Sequence, residues 1–161
     1  MQTFLPYPSF TSSARVLDRR RLGKQRVETL QIMTALLTNK GWVNHPATLM
    51  WRRHEWALLQ YQEAICNEWV DRGYKDTCLD KTRYLYNRYN RWEQQRLWPY
   101  WLGDDAFHIP HQSKLVEKDP WYYLRYFPGV PLGLEYYWPE PVSPYKIHTP
   151  NPWWNPPDPA F

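Results

Sequence analysis

One carboxylate, Glu28, closes a dense run of cations: Arg15, Arg19, Arg20, Arg21, Lys24 and Arg26, diluted only by Asp18. Clustered cations are what a phosphate backbone requires, because each contact releases condensed counterions. Lys24 and Glu28 stand four residues apart, which on a helix turns both to one side. That spacing describes an ordinary ion pair on a solvated face. It equally describes a carboxylate working inside a phosphate-binding surface. DNA repels carboxylates, so one held there needs a chemical reason. The other polar candidates say less. His54 shares a helix side with Leu58 and Tyr61 and reads as a core or edge histidine. His108 and His111 hint at a metal, but no third ligand with suitable spacing accompanies them. Cys66 and Cys78 fit neither a disulfide framework nor a zinc site, and Cys66 reads as a core residue. No cofactor, organic or metallic, is required.

The element that must hold Glu28 is a helix. From Ala14 to Thr38, Leu22, Val27, Leu30, Met33, Leu36 and Leu37 recur at helical spacing, with Arg20, Arg21, Lys24, Glu28 and Gln31 opposite. Thr11, Ser12 and Ser13 offer caps, and Gly23 marks a possible break. Arg26 falls towards the apolar face, where it needs a buried partner. A second helix is expected from Pro46 to Arg72, stopped by Gly73, with Trp51, Leu58, Tyr61, Ile65 and Trp69 as its stripe. A third covers Leu79 to Leu97, with Tyr84, Tyr86, Tyr89 and Trp92 along it, ended by Pro99. Tyr100 to Pro110 reads as irregular. Short helices are expected at His111–Lys118 and Trp121–Phe127.

Both ends of the chain differ from this middle. Pro6 and Pro8 make residues 1–10 an extended arm. Ten of the 16 prolines lie between Pro128 and Pro159, interleaved with Tyr137, Trp138, Trp153 and Trp154. That tail is neither regular helix nor central strand. Docking on the body is favoured over a recognition role, since exposed it would form a large apolar patch. The expected fold is therefore all-α: a compact domain of three to five helices with an extended N-terminal arm and an irregular Pro/aromatic-rich C-terminal tail. The boundary is placed so that 1–129 is the helical domain and 130–161 the tail.

Bulk properties narrow the class. At 161 residues and 43% hydrophobic content the chain can build one real core. Its 11 Trp and 13 Tyr exceed what that core needs: either the domain packs with large flat side chains, or some rings are exposed for stacking on bases or a sugar. A net charge of +4 is too mild to identify a nucleic-acid binder by itself, so the clustering carries that argument. The first ten residues lack a basic, apolar leader, and no stretch is long enough to span a membrane. A monomer in the cytoplasm is the expectation.

Three segments in one order carry a family resemblance. Arg21 to Glu28 resembles the helix of pyrimidine-dimer DNA glycosylases that ends in their catalytic glutamate. Pro46 through His54 to Arg72-Gly73-Tyr74 resembles their second helix. Ile109-Pro110-His111, followed by Trp121-Tyr122-Tyr123-Leu124-Arg125-Tyr126-Phe127-Pro128-Gly129, resembles the Ile-Pro-His and aromatic tail motifs of the endonuclease V type. The opening Met-Gln-Thr-Phe-Leu-Pro-Tyr is nearest to a bacterial and phage branch of that family. The region after Pro139 has no counterpart in endonuclease V.

The resemblance implies a DNA glycosylase with AP-lyase activity. In that family an α-amine at the chain start attacks C1′ of the damaged nucleotide, an imine forms, and β-elimination nicks the strand, while the glutamate stabilises charge on the sugar. An α-amine suits this, since its ordinary pKa of about 7.7–8.0 leaves a useful fraction unprotonated. Glu28 would be the carboxylate and Met1 the nucleophile. If Met1 is removed, Gln2 becomes the first residue of the catalytic set but can cyclise and lose its amine, and Lys24 is the fallback amine. Arg15, Arg19, Arg20, Arg21, Arg26 and Gln31 would face DNA, as would His111, Trp121, Tyr122, Arg125 and Tyr126. Val27 and Gln31 stand where the family has arginines, and Arg21 stands where it has a histidine. The contacts are thus rearranged, and the substrate is any damaged or modified pyrimidine in duplex DNA. Two rivals remain on the same residues: a base-modifying enzyme that leaves strands intact, and a non-catalytic module recognising distorted or modified DNA.

Overall fold

The computed structural model describes residues 1–90 and 96–141. Among them are seven helices and no strand. They are α1 (Phe10–Val16), α2 (Arg19–Thr38), α3 (Pro46–Leu49), α4 (Glu55–Asp71), α5 (Cys78–Tyr89), α6 (Asp105–Lys118) and α7 (Pro120–Tyr123). Helix α2 is central, packed against α4 and α5, while α1 lies on α4. The expected all-helical class holds. The helix number rises because two expected helices are each broken in two.

The first break falls at Leu17–Asp18, not at Gly23. Asp18 caps α2 by accepting the Arg21 N–H at 3.4 Å, and Tyr123 binds Asp18 from across the fold. Ser9, rather than Thr11, Ser12 or Ser13, caps α1. Helix α2 runs unbroken through Gly23, where a Cβ would meet ring carbons of Trp69 at 3.0 Å. The second break lies between α3 and α4. There Arg53 adopts φ +67°, and Glu55 accepts the Arg53 N–H at 3.1 Å. Met50 and Trp51, in that turn, are fully buried. Burial of a turn is invisible to periodicity, which is why one long helix was expected.

Other boundaries also move. Helix α5 ends at Tyr89, with Asn90 extended at ψ 122°; Arg96 and Leu97 are not helical, and Trp92 lies outside the described residues. Helix α6 begins at Asp105 rather than His111, because Asp104 caps it by accepting the Ala106 N–H at 2.9 Å. Helix α7 stops at Tyr123, short of Phe127. On α2 the buried positions are Leu22, Gln25, Glu28, Thr29, Ile32, Met33 and Ala35, while Val27 is 44% exposed. The stripe is rotated from the expected one because two helices cover α2, and polar side chains fill part of the seam. Residues 130–141 run irregularly along α6; the rest of the expected tail, including Trp153 and Trp154, lies outside the described residues.

The N-terminal arm is extended, as expected, but it runs inside the protein. Gln2, Thr3, Phe4 and Leu5 are all buried. Buried backbone must find partners, and here side chains supply them. The Phe4 N–H donates to Gln25 Oε1 at 2.9 Å, and the Phe4 carbonyl accepts from the Tyr61 hydroxyl at 2.9 Å. The Leu5 N–H donates to His111 Nδ1 at 3.0 Å, and His108 Nδ1 lies 2.7 Å from the Leu5 carbonyl. Trp51 Nε1 reaches Thr3 Oγ1 at 3.0 Å, and Gln112 Nε2 reaches the Pro6 carbonyl at 2.8 Å. Helices α2, α4 and α6 thus hold the arm residue by residue, and its first residues emerge beside Glu28.

Candidate active site

Glu28 sits at the edge of the core, 9% exposed. Its Oε2 accepts the Gln2 backbone N–H at 3.3 Å and Gln25 Nε2 at 3.2 Å. Its Oε1 pairs with Lys24 Nζ at 3.4 Å. The expected i,i+4 pair is present, but only Lys24 is solvated, at 72% side-chain exposure against 12% for Glu28. A buried carboxylate with three donors is fixed in direction, which an exposed ion pair is not. Gln25 does the fixing. Its Oε1 accepts from both Phe4 N–H and the Tyr61 hydroxyl, the latter at 2.7 Å, so its amide is left aimed at Glu28.

Glu28 opens into a cavity of about 320 Å³. Met1, Gln2, Lys24 and Glu28 line it together. Arg20 and Arg21 add charge from α2, and Lys118 adds more from the end of α6. Phe4 and Tyr136 supply aromatic wall. His45 stands nearby. Burial pulls its imidazole pKa down and the positive amino terminus pulls it further, while Glu28 pulls the other way. The chain start and the Glu28 carboxylate thus line one cavity together with cations. This arrangement can hold an anion, present an amine to an electrophile and stabilise a neighbouring cation.

The structure sorts the other expected residues. Arg15, Arg19 and Gln31 are exposed, and Arg19 lies over the Tyr74 ring at 4.9 Å. Arg26 turns away from the cavity. Its Nη1 pairs with Asp76 at 2.6 Å and its guanidinium stacks on Trp69 at 4.3 Å, which supplies the buried partner that its place on the helix demanded. His111, expected at a DNA surface, is 1% exposed and is spent on the Leu5 N–H. Burial takes its pKa down to about 3, so it stays neutral. His108 accepts the Gly103 N–H at 2.8 Å and lies against Leu5, so these two histidines clamp the arm rather than converge on a metal. Among the described residues no cluster of three or more His, Cys, Asp or Glu side chains forms. Trp121 is 97% exposed, and Arg125 lies over Tyr122 and Tyr126 at 4.5 and 5.0 Å. His54 is buried at the start of α4, as a core histidine should be.

The family model for pyrimidine dimer DNA glycosylases matches residues 1–82. The chain belongs to the pyrimidine dimer DNA glycosylase family. No curated protein and no solved structure matches it. The stretch shared with the glycosylase family contains the arm, α2 and α4, hence Met1, Gln2, Lys24, Gln25, Glu28 and Tyr61. Membership in a family of DNA glycosylases makes DNA the partner. No helix among the described residues is long and apolar enough to cross a membrane. The expected site residues leave out Gln25, Lys118 and Tyr136. Gln25 was findable, since it lies three residues before Glu28 on the same helix side. Lys118 and Tyr136 reach the cavity from distant segments and leave no local signal.

Proposed function

We propose that the protein is a DNA glycosylase with AP-lyase activity that excises a damaged or modified pyrimidine. The observation that carries this is the 3.3 Å contact between the Gln2 backbone N–H and Glu28 Oε2, which tethers the start of the chain to the carboxylate inside a cation-lined cavity. The Met1 amine, one residue before that contact, is the nucleophile. Its lone pair forms a bond to C1′ of the extruded nucleotide. The glycosidic bond breaks towards the base, which leaves with that electron pair and takes a proton. The sugar ring opens as the C1′–N imine forms, and O4′ is protonated. Loss of a C2′ proton then expels the 3′-phosphate, and water releases the enzyme. Glu28 stabilises the cationic sugar and relays the C2′ proton. Arg20, Arg21, Lys24 and Lys118 hold the flanking phosphates. Trp121, Tyr122, Arg125 and Tyr126 lie on the DNA side and take part of the stacking lost on extrusion.

The test is borohydride trapping on a duplex with one abasic site, followed by peptide mapping. The expected adduct is on Met1. Glu28→Gln is expected to lower strand nicking at least 100-fold while DNA affinity changes less than about threefold. An adduct on Lys24 moves the nucleophile. Unchanged nicking by Glu28→Gln removes Glu28 from the mechanism. No adduct, with tight binding, rules out the lyase. Altered nucleosides in intact strands would then favour the base-modifying reading.

A further inference from the structure

The four cations that line the cavity differ in how they are held. Arg20 and Lys118 are exposed, and Lys24 pairs with Glu28 from a solvated position. Arg21 is gripped from the interior instead. Its side chain is 18% exposed, and its Nη1 donates to Asp18 Oδ1 at 3.1 Å. Asp18 is fixed in turn. Its backbone N–H donates to the Tyr123 hydroxyl at 2.9 Å, and that hydroxyl donates back to Asp18 Oδ1. Tyr123 is fully buried, and its ring stacks on Phe127 at 6.3 Å. The Arg21 guanidinium also lies over the Tyr123 ring, 5.9 Å from its centre. One buried phenol on α7 thus holds the arginine by two routes, through the carboxylate and through its own face.

The start of α2 does not need all of this. Asp18 Oδ2 caps the helix through the Arg21 N–H, and a cap of that kind stands without a phenol. The second oxygen, the hydroxyl and the guanidinium form a separate chain of contacts. Burial alone would raise the Asp18 carboxyl pKa, but the Tyr123 hydroxyl and Arg21 bring it below its ordinary value, so it stays an anion. It takes one corner of the guanidinium fork, Nη1, which leaves Nε and Nη2 for a ligand. A fork held at one corner presents the others in a set direction, as recognition of a phosphodiester requires. We propose that Tyr123 is a positioning residue: through Asp18 it sets the Arg21 guanidinium against one phosphate of the bound strand. The inference rests on the reading above that the strand lies over this cavity.

Binding separates this from the chemistry. The probe is a duplex carrying one tetrahydrofuran residue, an abasic analogue on which no imine can form. Arg21→Gln is expected to weaken binding about tenfold, the scale of a charge-assisted hydrogen bond. Tyr123→Phe keeps the ring and its stack but loses the hydroxyl, and should weaken binding about fivefold. Added to Arg21→Gln, it should weaken binding by less than about twofold more, because the residue it positions is gone. The same loss in both backgrounds would make the hydroxyl merely structural and overturn the proposal, as would no loss in the otherwise wild-type protein. Arg21→Lys leaves Tyr123 and Asp18 in place, so it decides the matter whether or not the Tyr123 variant folds. An ammonium keeps the charge but not the fork. Its loss should come within about threefold of that of Arg21→Gln, and full affinity in Arg21→Lys overturns the fixed orientation. Nicking of a natural abasic duplex is read alongside. Coupling between Tyr123 and Arg21 in a protein that does not nick supports the positioning and overturns only the excision chemistry. Nicking without that coupling overturns the positioning alone.

Discussion

Gln25 is the residue on which the site's geometry turns. It accepts from the arm and from Tyr61, and donates to Glu28, at 1% exposure. Gln25→Leu keeps most of the volume but leaves the buried Phe4 N–H without its acceptor, and takes one acceptor from the Tyr61 hydroxyl and one of three donors from Glu28. A buried group left unpaired costs about 1–3 kcal/mol, so a loss of about 2 kcal/mol is expected in urea unfolding at unchanged slope. Nicking should fall with it, because Glu28 loses its direction and the arm its anchor. Glu28 itself was legible as a lone carboxylate among cations. Its burial was not, because the helices that cover α2 are fixed by distant sequence. Arg26 shows the reverse case: its place on the apolar side of the helix foretold a buried partner, and Asp76 is that partner.

At the scale of elements, two packings decide whether the arm reaches the site. The first is α2 against α4 at Gly23. Helix propensity alone would favour alanine there by about 1 kcal/mol. Yet Trp69, whose ring a Cβ would meet at 3.0 Å, has no room to retreat. Arg26 and Tyr74 stack on it, and its Nε1 donates to the Lys75 carbonyl at 3.0 Å. Gly23→Ala is therefore expected to be destabilising by about 1 kcal/mol net, seen as a melting point lower by a few degrees. The second is the α6 clamp on Leu5. Burial lowers the pKa of both His108 and His111, the latter to about 3. The unfolded chain takes up these protons around pH 6.5 and the folded one only at lower pH. Stability from the clamp is thus complete above pH 6.5 and is lost as pH falls towards 3. For His111 the fall should approach about 1.4 kcal/mol per pH unit below about pH 5.5, and the lowered pKa of His108 adds to it in the same direction. Chemical denaturation across that range checks it, and His111→Asn should flatten the slope.

Across the whole molecule, one cationic edge gathers around one cavity. Arg20, Arg21 and Lys24 come from α2, and Lys118 from the far end of α6. Affinity for duplex should fall steeply with salt. Lys118→Ala is expected to lower the slope of log K against log salt by about 0.9. Arg26→Met removes the same formal charge but one already paired with Asp76, so the slope should not move. Breaking that pair should instead cost about 1–2 kcal/mol of stability, since Asp76 loses its cation and keeps the N–H groups of Cys78 and Leu79. Fluorescence titrations at several salt concentrations separate the two variants.

By itself the sequence determined the chemistry on offer and the helices that carry it. A carboxylate amid cations, apolar residues at helical spacing, prolines at both ends and three ordered family-like segments are all local signals. Local signals survive because spacing along a helix translates directly into direction. The breaks at Asp18 and Arg53 were beyond it: Tyr123 holds Asp18 from across the chain, and the turn leading to Arg53 is set by the burial of Met50 and Trp51. So was the burial of the arm, whose backbone is satisfied by Gln25, Tyr61, His108 and His111 from three helices. Only the tertiary structure could bring Lys118 and Tyr136 to the cavity that Met1 and Glu28 share. Long-range packing decides which side chains meet, and no periodicity records it.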